Sequence, residues 1–419
     1  MKKIIQLIYF STISLALVAQ ETKPFTSSIS GYVKNDVFYD TRETVSVRDG
    51  HFLLWPSPVA LDSVNTDINN RAQLNMLAIQ SRLTFRFSGS DVLGARTSGL
   101  IEGDFFGNAS INSLRLRHAF VKLKWEHTEL ISGQYWNPLF VTSCFPGTIS
   151  FNTGTPFNSF ARNPQLRITH TLGSMSFSGA LLSQVDNVSR GSYNSKSSSH
   201  LRQSVIPDAH LQFSYATKND STQRAFTCGG GIAYKQIRPR NTSVVDNKIY
   251  TVDESVHGLT AIAFSKIQTS LLTIKLSMRY GENIPDITAP GGFAVQNISD
   301  TITGKSEYTP LTSLSYWGEI HTNGNHWEFG LFGGFFANTG TKETMSRATN
   351  PVYGLATNIT RLYRISPRIM YTINKFRVGL EYEYTGAVYG EKFDANYKAH
   401  SLSNDVSNSR ILFTTVYSF

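Results

Sequence analysis

Between residues 81 and 136, four short runs set apolar side chains in alternation with Arg, Glu, Asp or other polar residues. They cover residues 81–87, 100–105, 114–121 and 130–136. A period of two puts one kind of residue on each face of a strand. A water-soluble core would reject the charged face, whereas a barrel wall between lipid and a wet lumen requires it. After Trp136 come 27 residues, 137–163, rich in Gly, Pro, Asn, Phe and Ser and without a sustained period. This stretch reads as a loop folded into the barrel. The pattern predicts an all-β, transmembrane, antiparallel β-barrel with an inward-folded third extracellular loop.

The rest of the chain supplies the remaining strands. Alternating segments recur to give sixteen, the first at 28–40 and the last at 409–419. Strand eleven is the clearest: Leu272, Ile274, Leu276, Met278 and Tyr280 alternate with Thr273, Lys275, Ser277 and Arg279. Strand two is read with Leu77, Ile79, Leu83, Phe85 and Phe87 on the lipid face. Strand four changes phase, since Leu114 and Leu116 share one face while Ala119, Val121 and Leu123 share the other; a bulge near His118 is expected. The connections sort by length, brief turns alternating with longer loops, except for a short third-to-fourth connection. That is the plan of an outer-membrane barrel with both chain ends on the periplasmic side.

Composition bears on what this excludes. Beyond the N-terminus, no stretch reaches the roughly 18 continuous apolar residues of a membrane-crossing helix. Residues 1–19, with Lys2 and Lys3 before an apolar run, read as a secretory signal ending at Ala19. Residues 20–27 form a short N-terminal segment and 28–419 a single barrel domain. Removing both lysines lowers the net charge from +9 to +7. The arginines are spread singly along alternating strands, which argues against nucleic-acid binding. Two cysteines, Cys144 and Cys228, make no metal framework and are not expected to pair. No nucleophile elbow, phosphate loop or zinc-histidine pair occurs, so no catalytic residue, metal or cofactor is expected.

A sixteen-strand barrel is too wide for wall side chains to fill, and a water channel is expected. Arg82, Arg86, Arg115, Arg117 and Arg167 alternate with apolar positions and therefore point inward. Arg162 lies in the long loop, which contains no Asp or Glu. Rings of one charge favour the opposite ion, so these arginines are the candidate pore lining for small anionic solutes. Glu102 and Asp104 face inward with them, either in the lining or bracing the wall against neighbouring arginines. The phenylalanines of the loop, among them Phe140, Phe151, Phe157 and Phe160, can pinch the passage. Two other readings stay open: a barrel whose extracellular loops bind a partner or surface, and a barrel enzyme. The position of 137–163, inside or outside, separates the first of these from a pore.

The last strand places Ile411, Phe413, Tyr417 and Phe419 on one side and resembles the C-terminal signal read by the outer-membrane assembly machinery. Four segments also resemble the DcaP-like outer-membrane porins: Gln80-Ser81-Arg82-Leu83; residues 101–107, Ile-Glu-Gly-Asp-Phe-Phe-Gly; residues 114–120, Leu-Arg-Leu-Arg-His-Ala-Phe; and Gly133-Gln134-Tyr135-Trp136. The resemblance spans about residues 80–140, and beyond that it concerns the plan alone. It implies a sixteen-strand barrel, a homotrimer, passage of small anions such as dicarboxylates, and Arg82, Arg115 and Arg117 as lumen residues. Some members carry an N-terminal coiled coil; here only residues 20–27 separate the signal from strand one.

Overall fold

The computed structural model describes residues 24–107 and 113–419, and the signal segment lies outside them. Sixteen antiparallel strands form one closed wall. The first eight are β1 (Thr26–Asp40), β2 (two pieces, Gln73–Leu77 and Arg82–Ser88), β3 (Arg96–Asp104), β4 (Arg115–Lys124), β5 (Thr128–Trp136), β6 (Arg162–Leu172), β7 (Met175–Leu182) and β8 (Asp208–Asn219). They continue as β9 (Arg224–Ile237), β10 (Val256–Gln268), β11 (Leu272–Glu282), β12 (Lys305–Thr322), β13 (Trp327–Thr341), β14 (Ile359–Ile373), β15 (Phe376–Phe393) and β16 (Val406–Ser418). Each pairs with the next, and β1 pairs with β16 from Tyr32↔Ser418 to Asp40↔Arg410. Closure leaves no sheet edge to be satisfied in lipid. Among the described residues, no helix is long and apolar enough to cross a membrane.

Alternation decides which side chains face out. Ile29, Val33, Leu83, Ile101, Leu166, Ile168, Phe177, Leu211, Leu276, Met278, Leu331 and Phe413 are all exposed on the outer surface. Residues of the alternate phase, among them Asp36, Glu102, Arg279, Arg364, Glu381 and Arg410, are buried on the inner side. The bulge expected near His118 is present. Glu102 pairs with His118 and Gly103 with Leu116, leaving Arg117 as the extra residue. It restores the phase, so that Leu116 and Val121 both reach the outer surface.

Strand β2 corrects one sequence reading. It breaks at residues 78–81, where Ser81 N bonds Ala78 O, and the two pieces are out of phase. Leu74 and Met76 face out, while Ile79 is buried and Leu77 packs with inner residues. Uniform alternation through the break is what placed Leu77 and Ile79 toward lipid.

The interior also holds more than one loop. Within the first connection, Thr44–Val47 and Phe52–Pro56 form a hairpin, with Phe52, Leu53, Leu54 and Trp55 all buried. Phe52, Leu54 and Trp55 pack with Phe106, with Phe140, Phe151, Phe157 and Phe160 of the third long loop, with Ile284 and Ile287, and with Phe332, Phe336 and Tyr389 of the wall. What the sequence reading did not foresee is the first-loop hairpin, which joins the third loop in an apolar core inside the wall. Burying a Phe or Leu side chain contributes about 1.5–3 kcal/mol, which supplies the reason for the loops to stay inside.

Candidate functional site

The inner face of β2, β3 and β4 carries a chain of alternating charges. Arg117 Nε donates to Glu102 Oε1 and Arg117 Nη1 to Asp104 Oδ2, both at 2.8 Å. Arg115 grips Asp104 with two donors, at 3.1 and 2.9 Å. Arg82 Nε lies 3.6 Å from Glu102 Oε1. Beyond Arg115, the chain continues to Asp186 in the loop after β7. Arg115 Nη1 is 3.5 Å from Asp186 Oδ2, Arg162 Nη2 donates to that oxygen at 2.8 Å, and Arg48 Nη2 lies 3.7 Å from Oδ1. Five arginines therefore share three carboxylates. Burial alone would raise the Asp186 carboxyl, but the Arg162 and Arg115 guanidiniums beside it outweigh that and hold it below the usual range.

Exposure separates the roles these arginines can play. The Arg117 and Arg162 side chains are 2% and 0% exposed, against 25%, 21% and 14% for Arg48, Arg82 and Arg115. The first two are enclosed and brace the wall, while the last three reach water. Arg162 also lies over the rings of Trp136 and Phe160, 5.2 and 5.5 Å from their centroids. Glu102 and Asp104 are committed to the arginines. Arg86 stands apart, exposed, with Nη1 2.6 Å from Ser30 Oγ. Arg167 donates to Gln165 Oε1 at 2.8 Å and lies over the Tyr135 ring.

The third long loop crosses from this wall to the far one. Gly147 N donates to Glu319 Oε2 at 2.8 Å, Ile149 N to Glu381 Oε2, and Asn152 Nδ2 to Glu383 Oε1 at 2.7 Å. Arg364 donates to Thr155 O at 2.8 Å, and Arg279 to Ser159 Oγ and Pro156 O at 3.0 Å each. Wall carboxylates thus accept from the loop, and wall arginines donate to it. Within the loop, burial pushes the Cys144 thiol up to about 11, so it is not a nucleophile at neutral pH. Both cysteines are free.

Two cavities flank these loops. On the long-loop side, one of about 400 Å³ is lined by Arg48, Arg115, Arg190, Lys196 and Asp186, with Phe52, Phe151 and Phe160 as its apolar wall. On the short-turn side, one of about 410 Å³ is lined by Lys34, Lys375, Arg377, Tyr32, Gln80 and the 147–149 backbone region. The sequence reading missed Arg48, Asp186, Arg190 and Lys196, because loop residues have no alternation to orient them. A signal for the hairpin did exist in Leu53-Leu54-Trp55-Pro56, an apolar run inside a polar connection.

The closed barrel has counterparts among solved structures. The outer-membrane channel DcaP of Acinetobacter baumannii superposes with a TM-score of 0.67 over 94% of this chain and 97% of that one, at 14% identity. The fold is that of an outer-membrane porin. OmpT of Vibrio cholerae in its trimer form gives 0.54 at 10% identity, covering 95% of this chain and all of the other. The anion-selective porin from Comamonas acidovorans gives 0.53 at 9% identity, over 94% and 100%. No protein-family model and no curated protein sequence matches the chain. At such low identity the likeness is one of fold.

Proposed function

We propose that the protein is a passive channel of the bacterial outer membrane for small hydrophilic anions. The observation that carries the reading is the charge of the long-loop cavity: Arg48, Arg115, Arg190 and Lys196 face one carboxylate, Asp186, which is already shared among arginines. A low-dielectric mouth lined by one sign of charge concentrates the opposite ion and speeds its arrival. The cavity on the opposite side repeats the sign with Lys34, Lys375 and Arg377 and has no carboxylate in its lining. The acids that could have favoured cations, Glu319, Glu381 and Glu383, are occupied in holding the third loop. That loop then narrows the passage, with Arg82, Arg86 and Arg115 as lining and Arg117, Arg162 and Arg167 as its support. The inward attachment of residues 147–159 also favours a pore over a surface-adhesion role, for which that loop would have to project outward.

In this reading the outer apolar face meets membrane lipid, the last strand is read by the assembly machinery, and the working unit is a homotrimer, the form in which the Vibrio neighbour was solved. The test is the reversal potential of the refolded protein in a planar bilayer under a salt gradient. An anion-selective potential that moves toward zero when Arg48, Arg190 and Lys196 are all replaced by Gln supports the assignment. Cation selectivity, or a potential unmoved by the triple replacement, overturns it.

A further inference from the structure

The tip of the first-loop hairpin turns through three consecutive residues with positive φ: Arg48 at 61°, Asp49 at 55° and Gly50 at 82°. Two of them carry a Cβ that this conformation crowds, so the tip persists only where its surroundings hold it. The barrel wall supplies those holds. Arg410 Nη2 donates to Gly50 O at 2.7 Å, Asn75 Nδ2 to Asp49 O at 2.8 Å, and His51 Nε2 meets Asp36 Oδ2 at 2.5 Å. The His51 ring is 2% exposed and stacks among Phe38, Phe106 and Phe151, with centroids 6.0, 5.1 and 5.7 Å away.

The placement of this contact matters as much as its geometry. Asp36 is also 3.2 Å from Lys34 Nζ, so His51, Asp36 and Lys34 form one polar line. At one end the line meets Arg48, Phe52 and Phe151, which line the long-loop cavity. At the other it meets Lys34, Gln80 and Ile149, which line the opposite cavity. The hairpin tip therefore stands between the two basic chambers. His51 Nδ1 and Asp36 Oδ1 have no hydrogen-bond partner among the described residues.

We propose that the first-loop hairpin is a proton-operated gate, closed by the contact of His51 with Asp36 and released when the imidazole is protonated. The proposal rests on the channel reading above. The charged groups facing His51 are Asp36 and Lys34 from β1 and Arg410 from β16, itself paired with Asp40; the segment after β3 and the third loop present the rings of Phe106 and Phe151. A docked imidazolium would share one carboxylate with Lys34, out of water, and its Nδ1–H would face no acceptor. Burial accordingly lowers the His51 value from the ordinary 6.5, with Asp36 pulling the other way. A base whose value is lowered when docked and ordinary when hydrated favours docking at high pH. Docking weakens as the pH falls below the ordinary imidazole value.

The experiment compares single-channel recordings of the wild type, H51F and D36N from about pH 8 to about pH 5, the range spanning imidazole titration. Phe keeps the aromatic stack but cannot titrate. Wild-type open probability should rise severalfold on acidification, H51F should stay flat, and D36N should be more open than wild type already at the upper pH. A pH response in H51F equal to the wild type's, or a flat wild type, overturns the gate. A chain with residues 44–56 replaced by a short Gly-Ser link separates the two ideas. If it conducts while the wild type ignores pH, the gate fails and the channel stands. If no variant carries current at any pH, the channel reading fails and the gate with it.

Discussion

Arg117 illustrates how a strand residue becomes structural in a barrel of this kind. Its guanidinium satisfies Glu102 and Asp104 together, inside the wall and away from water. Removing one partner of an enclosed pair leaves charge uncompensated, at roughly 3–5 kcal/mol. R117A should therefore unfold at clearly lower denaturant, read as loss of the heat-resistant folded band. R48A, whose side chain reaches water, should leave stability within about 1 kcal/mol and instead reduce anion preference. Asp186 supplies a pH dependence at the same scale. Its carboxyl lies below the ordinary 3.8 in the folded protein, so its anchoring contribution is complete above that value and is lost as the pH falls through the lowered one. Amide protection factors across residues 183–207, which divide out the intrinsic pH dependence of exchange, should accordingly fall at strongly acidic pH and be unchanged near neutrality.

At the scale of elements, the third loop is held by groups that the wall would otherwise leave as buried charge. Replacing Glu381 and Glu383 together by Gln weakens the acceptors for Ile149 N and Asn152, and single-channel conductance should rise or become noisy as the loop loosens. Gly147 is a sharper probe. A Cβ there would meet Glu319 Oε1 at 2.8 Å and Arg368 Nη2 at 2.9 Å, so G147V should displace the loop or the paired Glu319 and Arg368 ends beneath it and change conductance with little effect on the strands. The strands themselves were legible in the chain because lipid and lumen enforce a period of two, and even the bulge at Arg117 left its mark as a phase change between Leu116 and Ala119. The break in β2 was hidden, since Ile79 and Leu77 continue an apolar spacing across it while the backbone turns. The basic vestibule was hidden for a different reason: Arg48 of the first loop meets Asp186, Arg190 and Lys196 of the β7–β8 connection, and no local pattern records that meeting.

The whole molecule is a closed wall whose two faces obey opposite rules, and adjacent residues of β11 make that testable. Leu276 is exposed to lipid, while Ser277 shares the inner face with Lys275 and Arg279, which donate to the third loop. L276R should cost about 2–4 kcal/mol near the membrane midplane and lower the yield of folded protein in lipid, whereas S277R should fold and alter conduction. Closure depends on the chain end as well: Phe419 N donates to Gly31 O at 3.0 Å, joining the last residue to β1. The decisive measurement is solute flux into proteoliposomes for three solutes of matched size, one a small dicarboxylate, one neutral and one a diamine. Faster entry of the dicarboxylate, lost when Arg48, Arg190 and Lys196 are replaced by Gln, is the predicted result; equal rates for all three, or faster entry of the diamine, would contradict it.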